Sequence, residues 1–217
     1  MIEFENEMIN VLKALNEAGF LSHCIISGSW CMYFYKFIFE DFIPPIATTD
    51  LDFFLPSVNK IGDKNITDLL ADLDYIREDD CISGKTKYFS KKGFELEFLT
   101  IPDKTMNNVV VIKGSNIGAE ALPKMAPAGW NYIQVSFNGL IVNVTSPVSF
   151  VLQKLLINND RKNDYKKQKD LDAIRYVLGF IKASQKYSRE LTESLDSYPK
   201  KWKKTILENA SKNNIVL

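Results

Sequence analysis

An α+β chain with an α/β-type core is the fold class these 217 residues predict: a small mixed β-sheet flanked by helices, followed by a helical C-terminal subdomain. Three observations predict it. Helix-type and strand-type runs alternate through the first hundred residues. Period-2 runs return at 132–145, and beyond Pro147 the apolar spacing is helical with no further strand signal. The chain is therefore divided at that change, into residues 1–145 and 146–217.

In order, Ile2, Ile9, Val11, Leu12 and Leu15 fall near helical spacing before Gly19, which stops a first helix. A β-type run, Leu21 to Ser27, ends at Gly28-Ser29. The dense apolar segment from Trp30 to Ile38 reads as a second helix, closed by Pro44-Pro45. A second strand runs from Thr49 to Leu55 and stops at Pro56. Ile66, Leu69, Leu70 and Leu73 form a helix with Asn65 or Thr67 near its cap. Strands at Lys85–Ser90 and Phe94–Thr100 flank the turn Lys91-Lys92-Gly93.

Residues 102–129, rich in Pro and Gly, read as loops around one short strand, Val109–Ile112. Tyr132–Phe137 and Leu140–Thr145 make a hairpin turning at Asn138-Gly139. Three helices complete the chain, at Val148–Asn158, Tyr165–Tyr187 and Pro199–Ala210.

Hydrophobic residues make up 46% and aromatics 12%, enough for a substantial core. The 27 basic and 27 acidic side chains cancel, which argues against a uniformly basic nucleic-acid coat or a polybasic membrane clamp. The cancellation hides a polarity: residues 1–100 hold 17 acids and 9 bases, and residues 101–217 hold 10 acids and 18 bases. Met1–Val11 carries Glu3, Glu5 and Glu7 where a secretory leader needs a basic region and an apolar run. No apolar stretch reaches the ~18 residues of a spanning helix. Cys24, Cys31 and Cys81 share no CxxC spacing and are expected to be buried thiols. The expectation is a soluble cytoplasmic protein without a membrane partner.

Chemistry concentrates in Thr49-Asp50-Leu51-Asp52-Phe53-Phe54. Alternation along a strand sends Asp50 and Asp52 to one face and Leu51 and Phe53 into packing. Two carboxylates so close repel each other unless a cation lies between them, and a hard divalent ion with oxygen ligands is the natural occupant. An exposed acidic strand face is the plainer alternative, but these aspartates open an otherwise apolar strand. Gly28-Ser29, between a strand and a helix, supplies a close backbone approach and a hydroxyl suited to a phosphate, although ordinary turn chemistry explains the pair equally simply. Phe94-Glu95-Leu96-Glu97-Phe98-Leu99 adds two more carboxylates on one face; Glu97 is favoured over Glu95, which lies closer to the Gly93 turn.

Gly28-Ser29, then Asp50-x-Asp52, then a later strand carboxylate is an order of motifs that resembles the DNA polymerase beta-like nucleotidyltransferase superfamily, in particular its compact bacterial members. Thr48 and Leu96-Glu97-Phe98-Leu99-Thr100 add to the likeness, which covers residues 20–100 and, more loosely, 147–178. The resemblance implies a nucleotidyltransferase fold, with residues 1–145 as the catalytic domain. It implies Mg2+, with Mn2+ as an alternative, in a two-ion site on Asp50, Asp52 and Glu97, and a nucleoside triphosphate held by Gly28, Ser29, Thr48 and Lys154. The implied reaction moves a nucleoside monophosphate onto an acceptor hydroxyl and releases pyrophosphate. An RNA end, a protein hydroxyl and a small molecule all remain open as acceptor, as does the oligomeric state. Two departures from the family pattern, glutamate rather than aspartate at Glu97 and Ile46 where an arginine is common, leave a silent nucleotide-binding or regulatory module as an alternative. A toxin component of a defence or toxin–antitoxin pair is the other.

The remaining features read as structural. His23 has no second histidine with which to bind metal, and Trp30 and its aromatic neighbours read as core. Arg161, Lys162 and Lys169-Asp170-x-Asp172 resemble a basic segment of the family, whereas Lys166, Lys167 and Lys169 read as a solvated helix face. Lys200-Lys201-Trp202-Lys203-Lys204 interleaves bases with an aromatic, yet a single such run is most simply solvated surface.

Overall fold

The computed structural model describes residues 4–45, 48–58, 65–102 and 107–217. Its elements run α1 (Glu5–Glu17), β1 (Ile25–Ser27), α2 (Cys31–Tyr35), β2 (Asp50–Leu55), α3 (Ile66–Ala71), β3 (Ile76–Asp79), β4 (Thr86–Phe89), β5 (Glu95–Thr100), β6 (Val109–Ile112), β7 (Ile117–Ala121), α4 (Ala126–Trp130), β8 (Tyr132–Phe137), β9 (Leu140–Thr145), α5 (Pro147–Ile157), α6 (Asp164–Ala183), α7 (Gln185–Ser197) and α8 (Lys200–Lys212). The strands form one mixed sheet in the order β3-β4-β5-β2-β1-β9-β8, and β7 extends it from the far end of β5, carrying β6. β2 and β5 are parallel, as are β1 and β9; β1 and β2 are antiparallel.

Alternation decides which face of this sheet is covered. Leu51, Phe53 and Leu55 of β2 enter the main core with Leu96 and Phe98 of β5 and Val142 and Val144 of β9. α1 seals that core with Met8, Val11, Leu12 and Leu15, the i, i+3, i+4, i+7 stripe of an amphipathic helix. Burying each such side chain contributes about 1.5–3 kcal/mol. On the other face, Phe54 and Leu99 pack with Ile25 and Met125 in a smaller cluster. That cluster covers one end of the face and leaves Asp50, Asp52, Glu95 and Glu97 at the other.

α5 is buried on nearly every side. Its start is secured by Ser146, whose Oγ accepts the Ser149 N–H at 3.1 Å, and by Pro147 at the first helical position. Val148, Val151, Leu152 and Leu155 share the main core with the sheet, so the C-terminal helices and the first 145 residues pack as one hydrophobic unit. Among the described residues no helix is long and apolar enough to cross a membrane.

Several local expectations are revised. The run from Leu21 is a 3-10 turn through His23, and only Ile25–Ser27 pairs as strand. The helix after Gly28-Ser29 is a 3-10 turn and then five residues, shorter than its apolar run suggested. Strand β3 carries no apolar alternation because it is an edge strand, and β7 is buried except at Glu120 but is interrupted in its apolar pattern by Gly118. The helix expected at 165–187 is two helices: Ser184 is extended, donates its N–H to Ile181 O at 3.1 Å and caps α7. Cys24 and Cys31 are buried, but Cys81 is exposed. Trp202 stacks against Trp130, their centroids 5.8 Å apart, and Lys203 pairs with Asp196 at 2.5 Å.

Candidate active site

Sheet register assembles the acidic face. Ser27 of β1 lies opposite Asp52 of β2, and Asp52 lies opposite Glu97 of β5. One step along, Asp50 is opposite Glu95. Four carboxylates thus occupy neighbouring positions on one face of two parallel strands, an arrangement costly in itself because like charges sit side by side.

Gly28, directly after Ser27, is locked to this row by two constraints. Its φ is +64°, in the left-handed region, and a Cβ placed on it would collide with Oδ2 of Asp52. Ser29 follows it, partly exposed. Because α2 is only five residues long, the donors this turn presents are its own N–H groups and the Ser29 hydroxyl rather than a long helix dipole. Thr48 donates its hydroxyl to Oδ1 of Asp50 and so orients that carboxylate. Ile46 lies outside the described residues.

Asp52 is the most perturbed acid of the site. Its pKa is pushed up to about 8, first by burial and then by the charges of Asp50 and Glu97, against the weaker opposing pull of Lys154 and Lys85. A carboxylate forced toward its neutral form by burial and by neighbouring carboxylates is short of counter-charge. Asp50 and Asp52 together therefore fit a divalent cation through their oxygen donors.

Glu97 is supplied with counter-charges by the protein. Lys87, opposite it on β4, bonds both Glu95 and Glu97. Lys85 Nζ lies 3.4 Å from Oε1 of Glu97 and 2.5 Å from Oε2 of Glu120. Burial alone would raise the Glu97 pKa; a hydrogen bond shared with Glu95 and the lysines hold it down at about 2. Burial, and then the hydrogen bond with Glu97, raises Glu95 in turn. Among the described residues no group of three or more His, Cys, Asp and Glu side chains is gathered so as to hold a metal ion. Asp50, Asp52 and Glu97 share a face, but Glu97 is drawn toward β4.

Lys154 is buried on α5 and ion-paired with Asp170 of α6, which also accepts from Nε of Arg161 at 2.9 Å. Its Nζ lies 5.0 Å from the Phe150 ring centroid. Its charge reaches Asp52, but the structure spends it first on Asp170.

A family model described as Nucleotidyltransferase matches residues 6–198. The chain belongs to the nucleotidyltransferase family. Solved structures with a similar course include the antibiotic-resistance factor ANT(2'')-Ia, at TM-score 0.49 and 11% identity, covering 88% of this chain and 90% of that one. Another is an antigenic nucleotidyltransferase-like protein from Paracoccidioides brasiliensis, at TM-score 0.49 and 16% identity, covering 94% and 93%. No curated protein matches.

Sequence reasoning missed three residues of the candidate site, Lys85, Lys87 and Glu120, and the pairing role of Asp170. One signal was present. Lys85 and Lys87 alternate in the run before the Lys91-Lys92-Gly93 turn as Glu95 and Glu97 do after it, and opposite charges on facing strands are a pairing cue.

Proposed function

We propose that this nucleotidyltransferase moves a nucleoside monophosphate from a nucleoside triphosphate to an acceptor hydroxyl, with release of pyrophosphate, on the face of β2 that carries Asp50 and Asp52. The observation that carries this reading is the row formed by Gly28, Asp52 and Glu97: a left-handed glycine turn pressed against a carboxylate short of counter-charge, with a third acid on the next strand. Residues 1–145 are assigned the chemistry. Residues 146–217 are assigned to back the site with the Lys154–Asp170 pair.

Asp50 and Asp52 are assigned as ligands of Mg2+, or of Mn2+ in its place, and Glu97 as the third acid. The ion would neutralise phosphate charge and lower the pKa of the attacking hydroxyl. Gly28 and Ser29 offer N–H and hydroxyl donors to the triphosphate, and Thr48 holds Asp50 in the orientation its partner needs. Lys154 adds positive charge beneath the site and is assigned to the phosphates through its field, its ammonium being bonded to Asp170. Much of the acceleration expected of such a site is alignment of hydroxyl, phosphorus and leaving group.

The test is transfer from labelled triphosphates to a panel of RNA, protein and small-molecule acceptors. Asp50→Asn and Asp52→Asn are expected to abolish labelling while the circular dichroism of the wild type is retained. Undiminished labelling by either variant would remove these aspartates from the chemistry. A second reading, nucleotide binding without turnover, rests on the neutralisation of Glu97 by two lysines. Metal-dependent triphosphate binding in calorimetry, with no product across the panel, would select it.

A further inference from the structure

We propose that Lys85 and Lys87 are the resident cations of Glu97, standing where a second divalent ion would otherwise act, so that the free protein binds one ion, on Asp50 and Asp52. The inference rests on the assignment of those two aspartates as metal ligands and deepens it. It concerns how the cationic side of the site is built.

Three observations carry it. First, β4 is antiparallel to β5 with Lys87 directly opposite Glu97, so the ammonium reaches the carboxylate by sheet register, without a flexible loop. Second, the cluster is close to balanced within itself: Lys87 bonds Glu95 and Glu97, and Lys85 bonds Glu97 and Glu120. Two ammonium groups answer three carboxylates, and a dication entering beside them would meet both before reaching a free oxygen of Glu97. Third, Asp50 and Asp52 stand outside this network. Thr48 is the hydroxyl partner of Asp50, and Lys85 and Lys154, the lysines among the described residues whose charge reaches Asp52, are bonded to other carboxylates.

The two halves of the acidic face therefore differ in kind. On β2 the charge is left for a ligand, and on β5 it is answered by the chain. Glu97 and its lysines act as positioning residues: they keep a fixed charge pattern beside the reacting phosphate whatever the metal concentration. Lys85 and Lys87 have only 17% and 32% of their side chains exposed, so the network is partly shielded from bulk ions.

Counting bound Mn2+ by electron paramagnetic resonance on the full chain at neutral pH tests this without reference to turnover. Wild type is expected to take up one ion, and Asp52→Asn to weaken that uptake more than about 100-fold, as for loss of a direct ligand. The Lys85→Gln/Lys87→Gln pair is expected to take up a second ion, and Lys87→Arg to return the count to one. Glu97→Gln is expected to change the affinity of the single ion by less than about tenfold. It serves as the independent check should the double variant fail to fold. Two ions in wild type, or loss of the ion in Glu97→Gln, would overturn the inference and leave Asp50 and Asp52 as ligands. No ion at all in wild type would remove the assignment of the two aspartates, and the inference with it.

Discussion

Strands β2 and β5 are near copies. Asp-Leu-Asp-Phe-Phe-Leu and Glu-Leu-Glu-Phe-Leu-Thr share the burial alternation, run parallel and pair residue for residue from Asp50 opposite Glu95 to Leu55 opposite Thr100. Their carboxylates nevertheless differ: Asp52 is pushed toward its neutral form, and Glu97 is held ionised. The strands on their outer sides make the difference. β5 borders β4, whose Lys87 faces Glu97, whereas β2 borders β1, which brings Ser27 and then Gly28 and no cation. An acidic strand is thus left short of counter-charge or made a salt-bridge face according to its neighbour.

The largest expected effect breaks the β2 side. Asp52→Asn should lower nucleotidyl transfer by at least about 10³-fold in single-turnover labelling, the scale of losing transition-state charge stabilisation. Glu95→Gln, on the neighbouring strand opposite Asp50, should cost far less, since Glu95 is assigned no contact with the reacting atoms. Equal losses would erase the functional distinction between the strands.

Gly28→Ala comes next. A left-handed residue with a Cβ costs about 1–2 kcal/mol, and the collision with Asp52 displaces the carboxylate. Transfer should fall about 100-fold, as for an ångström-scale misplacement, with a measurable fall in melting temperature. Wild-type kinetics in this variant would show that the turn does not govern Asp52.

The third effect is on stability and has opposite signs on the two strands. The Asp52 pKa is raised in the folded state, so the metal-free protein should lose stability as pH climbs from about 4 through 8. Asp52→Asn should remove that loss and stabilise the metal-free protein at pH 7.5 by about 1–3 kcal/mol, a figure discounted for partial exposure. Urea unfolding across this range measures it; a flat wild-type profile would contradict the unbalanced charge at Asp52.

The smallest effect is on the β5 side. The depressed pKa of Glu97 contributes stability that is present above about 4.5 and lost as pH falls toward 2. Lys87→Gln should shrink this acid-limb loss by about 1 kcal/mol, because the pair is about a third exposed on the lysine side. An unchanged acid limb would mean that Lys87 does not hold Glu97.

Long periodic elements and exposed turn chemistry were legible in the sequence. The α1 stripe, the Asn138-Gly139 hairpin with both residues at positive φ, the Asn65 cap of α3 and the helix α5 all follow from local spacing. Strands β3 and β7 were not, since the first is a polar edge and the second contains a glycine; each is a strand because a neighbour supplies its hydrogen bonds. The break at Ser184 hides within a continuous apolar period, and only its extended backbone reveals it.

By itself the sequence determined that Asp50 and Asp52 share a face, that Glu95 and Glu97 share another, and that Gly28 ends a strand. A period of two along a strand needs no partner to be read. Tertiary structure alone decided that these faces are one face, that Gly28 has no room for a side chain because Asp52 occupies it, and that lysines reach Glu97 but leave the β2 aspartates exposed to each other's charge. Those are relations between strands, set by register across hydrogen bonds, and register joins residues that lie far apart in the chain.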